Sequence, residues 1–312
     1  MITKSAQDKS AFTKGLLFTQ SARSAWRLII ESLQKSQGSV NILLPSYIGF
    51  TEREGSGIFD PVQATEANYS FYDLNEDLSI NFEAFRKLIE TKRFNIACVV
   101  HYFGFCRNDM NKIKRLCKKN NVILVEDCAH AFQIGLNAEN LGVVGDFSIY
   151  SLHKHLATDN GGILRNVSGS CELIDLPEDK KISLDASLQL LNSDLEAIAT
   201  IRRENYMHFA IMLSAIDGLE MMYELQDGEV PQSFPVRIKN GLREQLYFHL
   251  MDLGIPTIAL YYRLIDELDV SSYPLANKIS NEILNLPVHQ DITTEDVSLI
   301  VGEVKKFMES KV

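Results

Sequence analysis

The sequence predicts an α/β fold: a mostly parallel sheet in a large first domain, followed by a small C-terminal α+β domain. Three observations carry that expectation. Between residues 41 and 126, short apolar runs alternate with stretches of helical periodicity, the arrangement that βαβ crossovers require. Two of those runs, Ile96-Ala97-Cys98-Val99-Val100 and Val122-Ile123-Leu124-Val125, are apolar at both alternating positions, so each is expected to be covered on both faces. From about Gly218 the texture changes to brief strand-like runs mixed with helices, which places the division at 1–215 and 216–312.

In chain order, residues 1–15 are polar and irregular and read as an arm. Helical spacing then begins near Gln20, with Ala22, Ala25, Trp26, Ile29, Ile30 and Leu33 recurring at three- and four-residue steps behind Ser21 and Ser24. The first turn of such a helix offers unpaired N–H groups and the positive end of its dipole. Ser21, Arg23 and Ser24 therefore either cap the helix or cradle a phosphate. Residues 41–45 form a short buried strand that leads to the aromatics Tyr47 and Phe50, and residues 67–73 form a second strand. Residues 81–90 place Phe82, Phe85, Leu88 and Ile89 on one helical face. A strand is expected over 96–104. A helix over 109–119 follows it, gathering lysine and arginine at the C-terminal end, where the dipole favours them. Right-handed crossovers then join the strand at 122–125 to its neighbours. Residues 145–151 and 161–165 read as two more strands around the loop that carries Lys154. The stretch 184–216 contains neither Gly nor Pro and reads as one or two helices. Beyond it, strands are expected at 219–225 and 234–238, and helices at 242–253, 275–284 and 294–308.

A chain of 312 residues, 46% hydrophobic and 23% charged, suffices for one large and one small domain. Its net charge of −10 argues against non-specific binding of nucleic acid or anionic membrane, both of which need a basic face. The five cysteines are scattered singly with no CxxC pair, which reads as reduced thiols rather than a disulfide frame or a zinc site. No stretch approaches the roughly 18 apolar residues of a membrane span, and the N-terminus lacks a secretory pattern. The expectation is a soluble cytoplasmic protein with no metal, nucleic-acid or membrane partner.

The chemistry is expected where the strand ending in Glu126-Asp127 approaches the loop with Lys154. Functional groups gather at the carboxyl edge of a parallel sheet. Alone, Asp127 would cap the next helix, Lys154 would be a solvated surface residue, and His130 would be a satisfied core histidine. Together they offer a carboxylate and an amine, and with the hydroxyls and N–H groups at the helix tip this is the set that a carbonyl cofactor such as pyridoxal phosphate needs.

The residues Glu126-Asp127-Cys128-Ala129-His130-Ala131, Gly145-Asp146-Phe147-Ser148, Ser151-Leu152-His153-Lys154 and Asp159-Asn160-Gly161-Gly162 together resemble the signature of the DegT/DnrJ/StrS sugar aminotransferases. The likeness extends through Ser21-Ala22-Arg23-Ser24-Ala25, Leu44-Pro45-Ser46-Tyr47 and Val100-His101-Tyr102-Phe103-Gly104 upstream. Downstream it includes Arg203, Gly254-Ile255, Tyr262 and Leu286-Pro287-Val288-His289, so it covers most of the chain in order. The resemblance implies a fold type I enzyme that uses pyridoxal 5′-phosphate, with roles assigned residue by residue. Lys154 matches the Schiff-base lysine and proton shuttle, Asp127 the partner of the pyridinium nitrogen, and His130 the polar residue near the ring's phenolic oxygen. Ser151, Arg23 and Ser24, with Ala22 in the same turn, match the phosphate site. Tyr47 or Phe50 would stack on the ring.

This chain departs from the commoner pattern in three ways. Ser151 and Lys154 lie only three apart, where the family usually has two more residues between them. Ala22 stands where the family places a glycine. The segment 167–187, in which the family carries an asparagine reaching the neighbouring subunit, is short, and no residue is assigned to that role. The resemblance also implies amination of a keto-sugar nucleotide, L-glutamate as amino donor, and a homodimer with its active site at the subunit interface. The product would serve surface polysaccharide or deoxyaminosugar biosynthesis. Arg202, Arg203, Arg237 and Arg263 are the candidates for the nucleotide diphosphate, or else are ordinary surface arginines. Two rival readings keep the fold: a sugar dehydratase, whose members carry histidine at the lysine position, and a non-catalytic regulator.

Overall fold

The apolar runs become the centre of a seven-stranded sheet in the computed structural model, which describes residues 15–52, 55–131, 141–167, 169, 171–214 and 216–311. The first part of the chain supplies β1 (Leu16–Thr19), α1 (Ala22–Gln37), β2 (Asn41–Pro45), α2 (Phe59–Ala64), β3 (Asn68–Tyr72) and α3 (Phe82–Glu90). It continues with β4 (Ile96–Val100), α4 (Met110–Lys119), β5 (Ile123–Asp127), β6 (Phe147–Ser151) and β7 (Gly162–Asn166). The sheet order is β1-β7-β6-β5-β4-β2-β3. Every pairing from β3 through β6 is parallel, and β7 alone runs against both of its neighbours. The parallel strands therefore end on one edge, which brings Pro45, Val100, Asp127 and Ser151 to the same side.

Local sequence sets the boundaries. Ser21, Asn81 and Asp109 cap α1, α3 and α4, each side-chain oxygen accepting the backbone N–H three residues on. All five residues of β4 are buried. The strand expected to reach Gly104 stops at Val100, because Phe103 takes a left-handed conformation (φ 57°) and Tyr102–Gly104 curls into a single 3₁₀ turn. Conversely, β5 runs past Val125 to Asp127, since Glu126 and Asp127 stay in the ladder opposite Val99 and Val100. Two elements of this first part were not foreseen. β1 lies between the expected arm and the helix that follows, in a stretch given no element, and pairs with β7, and α2 is a six-residue helix that contains Pro61.

The second part consists of α5 (Leu184–Asn192), α6 (Leu195–Leu213), β8 (Leu219–Met221), β9 (Ser233–Ile238), α7 (Arg243–Asp252), α8 (Pro274–Glu282), β10 (Ile283–Pro287) and α9 (Thr294–Glu309). The stretch 184–216, expected as one or two helices, is two, separated where Asp194 starts a new cap. The expected 275–284 helix ends at Glu282, and Ile283 and Leu284 instead pair with Arg237 and Val236 in a three-stranded antiparallel sheet, β10-β9-β8. One apolar cluster links the two sheets, running from Leu43 on β2 to Phe234 on β9 and Val301 on α9. Trp26 lies fully inside it, its Nε1–H donating to the Ile58 carbonyl at 3.0 Å. Truncating it to alanine would cost about 3–5 kcal/mol. Among the described residues, no helix is long and apolar enough to cross a membrane.

Candidate active site

The sheet edge just described opens into a cavity of about 100 Å³. Asp127 at the end of β5, Ser151 at the end of β6, and the loop residues His130 and Lys154 all line it, as do Ala22 and Arg23 at the start of α1. Ser24 and Tyr47 do not. Ser24 donates its backbone N–H to Ser21 Oγ at 3.2 Å and faces an adjoining groove. Tyr47 is fully buried, with its ring edge-on to Tyr261.

Glycine shapes the helix tip. A Cβ on Gly162, the first residue of β7, would fall 2.2 Å from the carbonyl carbon of Ser21 and 2.5 Å from the nitrogen of Ala22. Only a residue without a side chain lets β7 abut the first turn of α1, and this contact fixes the helix N-terminus against the end of β6. Arg23 pairs with Asp60 at 3.6 Å.

His130 orders the amine. Its Nδ1 accepts the Phe103 N–H at 3.2 Å, and burial, followed by the charge of Lys154, pushes its pKa well below the ordinary histidine value. A neutral ring that accepts at Nδ1 carries its proton on Nε2. That nitrogen lies 3.3 Å from Lys154 Nζ, a contact in which the amine can accept only after it has given up its own proton. His153 is exposed and bonded through Nδ1 to Ser151 Oγ at 3.0 Å, while His155 is buried. The short loop itself is gripped from behind: Arg202 on α6 donates to the Lys154 carbonyl at 3.5 Å, and Gln290 donates to the His155 carbonyl at 3.1 Å.

Asp127 is 5% exposed, and burial raises its pKa, opposed by the Ala129 N–H at 2.8 Å and by the charges of Lys154 and His101. Its neighbour Glu126 points the other way. There, burial is outweighed by His101, whose Nε2 lies 2.8 Å from the carboxylate, and by the N–H groups of Gly145 and Gly142, so its pKa falls below the usual carboxylate range. His101, Glu126 and Cys128 bring ligand-type atoms within 4.8 Å of one another. The two oxygens of Glu126 already face four nitrogen partners, which leaves no lone pair for an ion.

The four arginines separate by environment. Arg237 is buried among Glu282, Glu76 and Glu220, and Arg202 is buried with its donors on backbone carbonyls and the Gln290 side-chain oxygen, its pKa lowered by burial to about 10. Both are structural. Arg203 binds the carbonyls of Gln226 and Glu229. Arg263 is solvent-facing, and its guanidinium lies 5.2 Å from the centroid of Phe50 beside the crevice. Sequence reasoning missed Gly49 and Tyr261, which line the cavity from the loop after β2 and from the second part of the chain. No local pattern connects them.

A sequence profile of the DegT/DnrJ/EryC1/StrS aminotransferase family matches residues 57–171 and 186–305. The chain is 25% identical over 253 residues to the dTDP-3-amino-3,6-dideoxy-alpha-D-galactopyranose transaminase of Aneurinibacillus thermoaerophilus, an alignment spanning 70% of this chain and 66% of that protein. It is 24% identical over 285 residues to the UDP-4-amino-4,6-dideoxy-N-acetyl-beta-L-altrosamine transaminase of Campylobacter jejuni, spanning 78% of this chain and 74% of the relative. Among solved structures, a protein of Streptococcus pneumoniae described as a sugar aminotransferase, in its PLP-form, superposes with a TM-score of 0.80 at 16% identity, covering 97% of this chain and 90% of that one. The shared architecture is that of fold type I. With the family profile matching well over half of the chain, Asp127, His130, Ser151 and Lys154 included, the chain belongs to the DegT/DnrJ/EryC1/StrS aminotransferase family.

Proposed function

We propose that this protein is a pyridoxal-phosphate-dependent aminotransferase that aminates a keto-sugar nucleotide with L-glutamate as donor. One observation carries the reading: Asp127, Lys154 and the first turn of α1 line a single crevice at the carboxyl edge of the sheet. The donor set fits the cofactor. A buried carboxylate calls for a cationic partner, which a protonated ring nitrogen provides, and the capped helix tip against Gly162 offers N–H groups to a phosphate. Bound there, pyridoxal phosphate supplies an electrophilic carbonyl and a ring that withdraws electrons from the substrate carbon.

The protein's part is to position groups and move a proton. Lys154 Nζ is the nucleophile toward the carbonyl and the base that takes the substrate's α-proton. His130, fixed as a neutral Nε2–H donor by the Phe103 N–H, orients that amine. Asp127 holds positive charge at the ring nitrogen. Ser151, Ala22 and Arg23 hold the phosphate. The nucleotide sugar is carried over from the names of the two relatives, one a dTDP-sugar and the other a UDP-sugar transaminase. Support for a second copy of the chain comes from α5, where Leu184, Leu188 and Leu191 form an exposed apolar stripe with Leu184 73% accessible.

Purified protein should carry a cofactor absorbance band that shifts when L-glutamate is added. A loaded protein with no shift would overturn the aminotransferase reading. Lys154→Ala should abolish the borohydride-reducible adduct. Mass spectrometry of reactions with a panel of keto-sugar nucleotides identifies the acceptor.

A further inference from the structure

Gly49 does not have the left-handed backbone that would demand a glycine. Its missing side chain serves another purpose. A Cβ placed there would fall 1.8 Å from Cδ1 of Tyr261, with Cε1 and Cγ at 2.7 and 2.8 Å. The phenol ring of Tyr261 thus occupies the space into which a side chain at position 49 would grow.

That ring arrives from the far end of the chain on a strap tied at both ends. At one end, Ile258 exchanges backbone hydrogen bonds of 3.1 and 2.9 Å with Asn285 of β10. At the other, the Phe50 N–H donates to the Arg263 carbonyl at 3.0 Å and the Ile265 N–H to the Ile48 carbonyl at 3.1 Å. Between these anchors Tyr261 takes φ 61°, a left-handed conformation that a bulky residue keeps only where its surroundings over-determine it. Strained backbone of this kind clusters at ligand clamps. The Tyr261 carbonyl is pinned by Ser280 Oγ at 2.7 Å.

Held in this way, the ring lines the cavity beside Asp127, His130 and Lys154. It stands 5.9 Å from the His130 ring at an interplanar angle of 31° and is backed edge-on by Tyr47 at 5.2 Å and Tyr102 at 6.0 Å. The aromatics nearer in sequence to the strand end are not available for this place. Tyr47 lies buried behind Tyr261, and neither it nor Phe50 lines the cavity.

We infer that Tyr261 supplies the aromatic surface against which the cofactor ring rests, and that position 49 is glycine so that this ring can reach the crevice. The assignment rests on the reading of the crevice as a pyridoxal-phosphate site. It makes Tyr261 a residue that positions the cofactor, delivered by the second part of the chain to a site built on the first.

The test is cofactor affinity and the induced circular dichroism of the cofactor band, measured by titrating pyridoxal phosphate into the apo full-length chain. Tyr261→Phe should load like the wild type. Tyr261→Ala should bind on the order of tenfold more weakly, the loss expected for a stacked aromatic, with a changed dichroic band. Gly49→Ala should weaken binding by displacing the ring. Gly49→Phe introduced into Tyr261→Ala should recover affinity, because an aromatic then enters the same space from the opposite wall. That recovery is one that a general loss of folding would not produce. Equal loading of Tyr261→Ala and wild type, or a double variant no better than Tyr261→Ala, overturns the assignment while leaving the cofactor reading intact. A wild-type chain that takes up no cofactor removes both.

Discussion

Glu126 and Asp127 are adjacent on β5 and almost equally withdrawn from solvent, at 0% and 5% exposure, yet the fold treats them in opposite ways. On one face, Glu126 meets His101 and the N–H groups of Gly142, Val144 and Gly145, so its ionised form is fully solvated by protein. On the other face, Asp127 has, among the described residues, a single backbone donor, Ala129, and otherwise looks into the crevice. Alternation along a strand makes this division possible with no intervening residue. A carboxylate whose neighbours are complete holds structure together. One that is buried and left short of partners is prepared for something that arrives later.

The largest expected effect comes from breaking each side separately. Asp127→Asn should lower kcat by on the order of 10² to 10³, the range for losing one preorganised electrostatic group, with the fold intact. Glu126→Gln should do the reverse. Removing one partner of a buried pair costs about 3–5 kcal/mol, so urea unfolding should shift strongly while the activity per folded molecule stays near that of the wild type. Paired unfolding curves and kinetics check this. If Glu126→Gln lost activity without losing stability, the division between the faces would be wrong.

A second expectation follows from the opposite pKa directions. Glu126 lies below its ordinary value of 4.5, so its ionised form stabilises the fold above that pH, and this contribution fades as pH falls through the lowered value. Asp127 lies above its ordinary value of 3.8, so its ionisation opposes folding at neutral pH and the penalty is relieved as pH falls through the raised value. In the cofactor-free protein, Asp127→Asn should therefore melt higher than wild type at pH 7, and Glu126→Gln lower. Both differences should shrink toward pH 3. Melting curves across that range test the sign: two differences of the same sign would contradict the contrast.

The sequence showed this contrast only in part. The short strands and their helical partners were legible because periodicity is local, and the cap residues Asn81 and Asp109 stand where their helices begin. The residues that motif spacing grouped, Asp127, His130, Ser151 and Lys154, do share one crevice. Other features depend on distant partners. Ile283 and Leu284 continue a helical pattern in sequence and become strand because β9 lies beside them. Nothing around Val100 announces that Phe103 turns left-handed, and nothing near Gly49 announces Tyr261. The burial of Arg202 and Arg237 was equally hidden, since their partners sit on other elements.

The smallest expected effect concerns Ser21, which has two readings that a single control separates. It caps α1 by accepting the Ser24 N–H at 3.2 Å, and it also lines the crevice. Asn81 makes the same contact with Ala84, also at 3.2 Å, at the start of α3, and does not line the crevice. Replacing either with alanine should cost about 1 kcal/mol of stability, the usual effect of losing a side-chain cap. If α1 also receives the phosphate, only Ser21→Ala should weaken cofactor binding, by a few-fold, because the fraying first turn would present its N–H groups less well. Equal stability losses with unchanged cofactor affinity in both variants would reduce Ser21 to a cap and move the phosphate contacts to Ser151 and the backbone of Ala22 and Arg23.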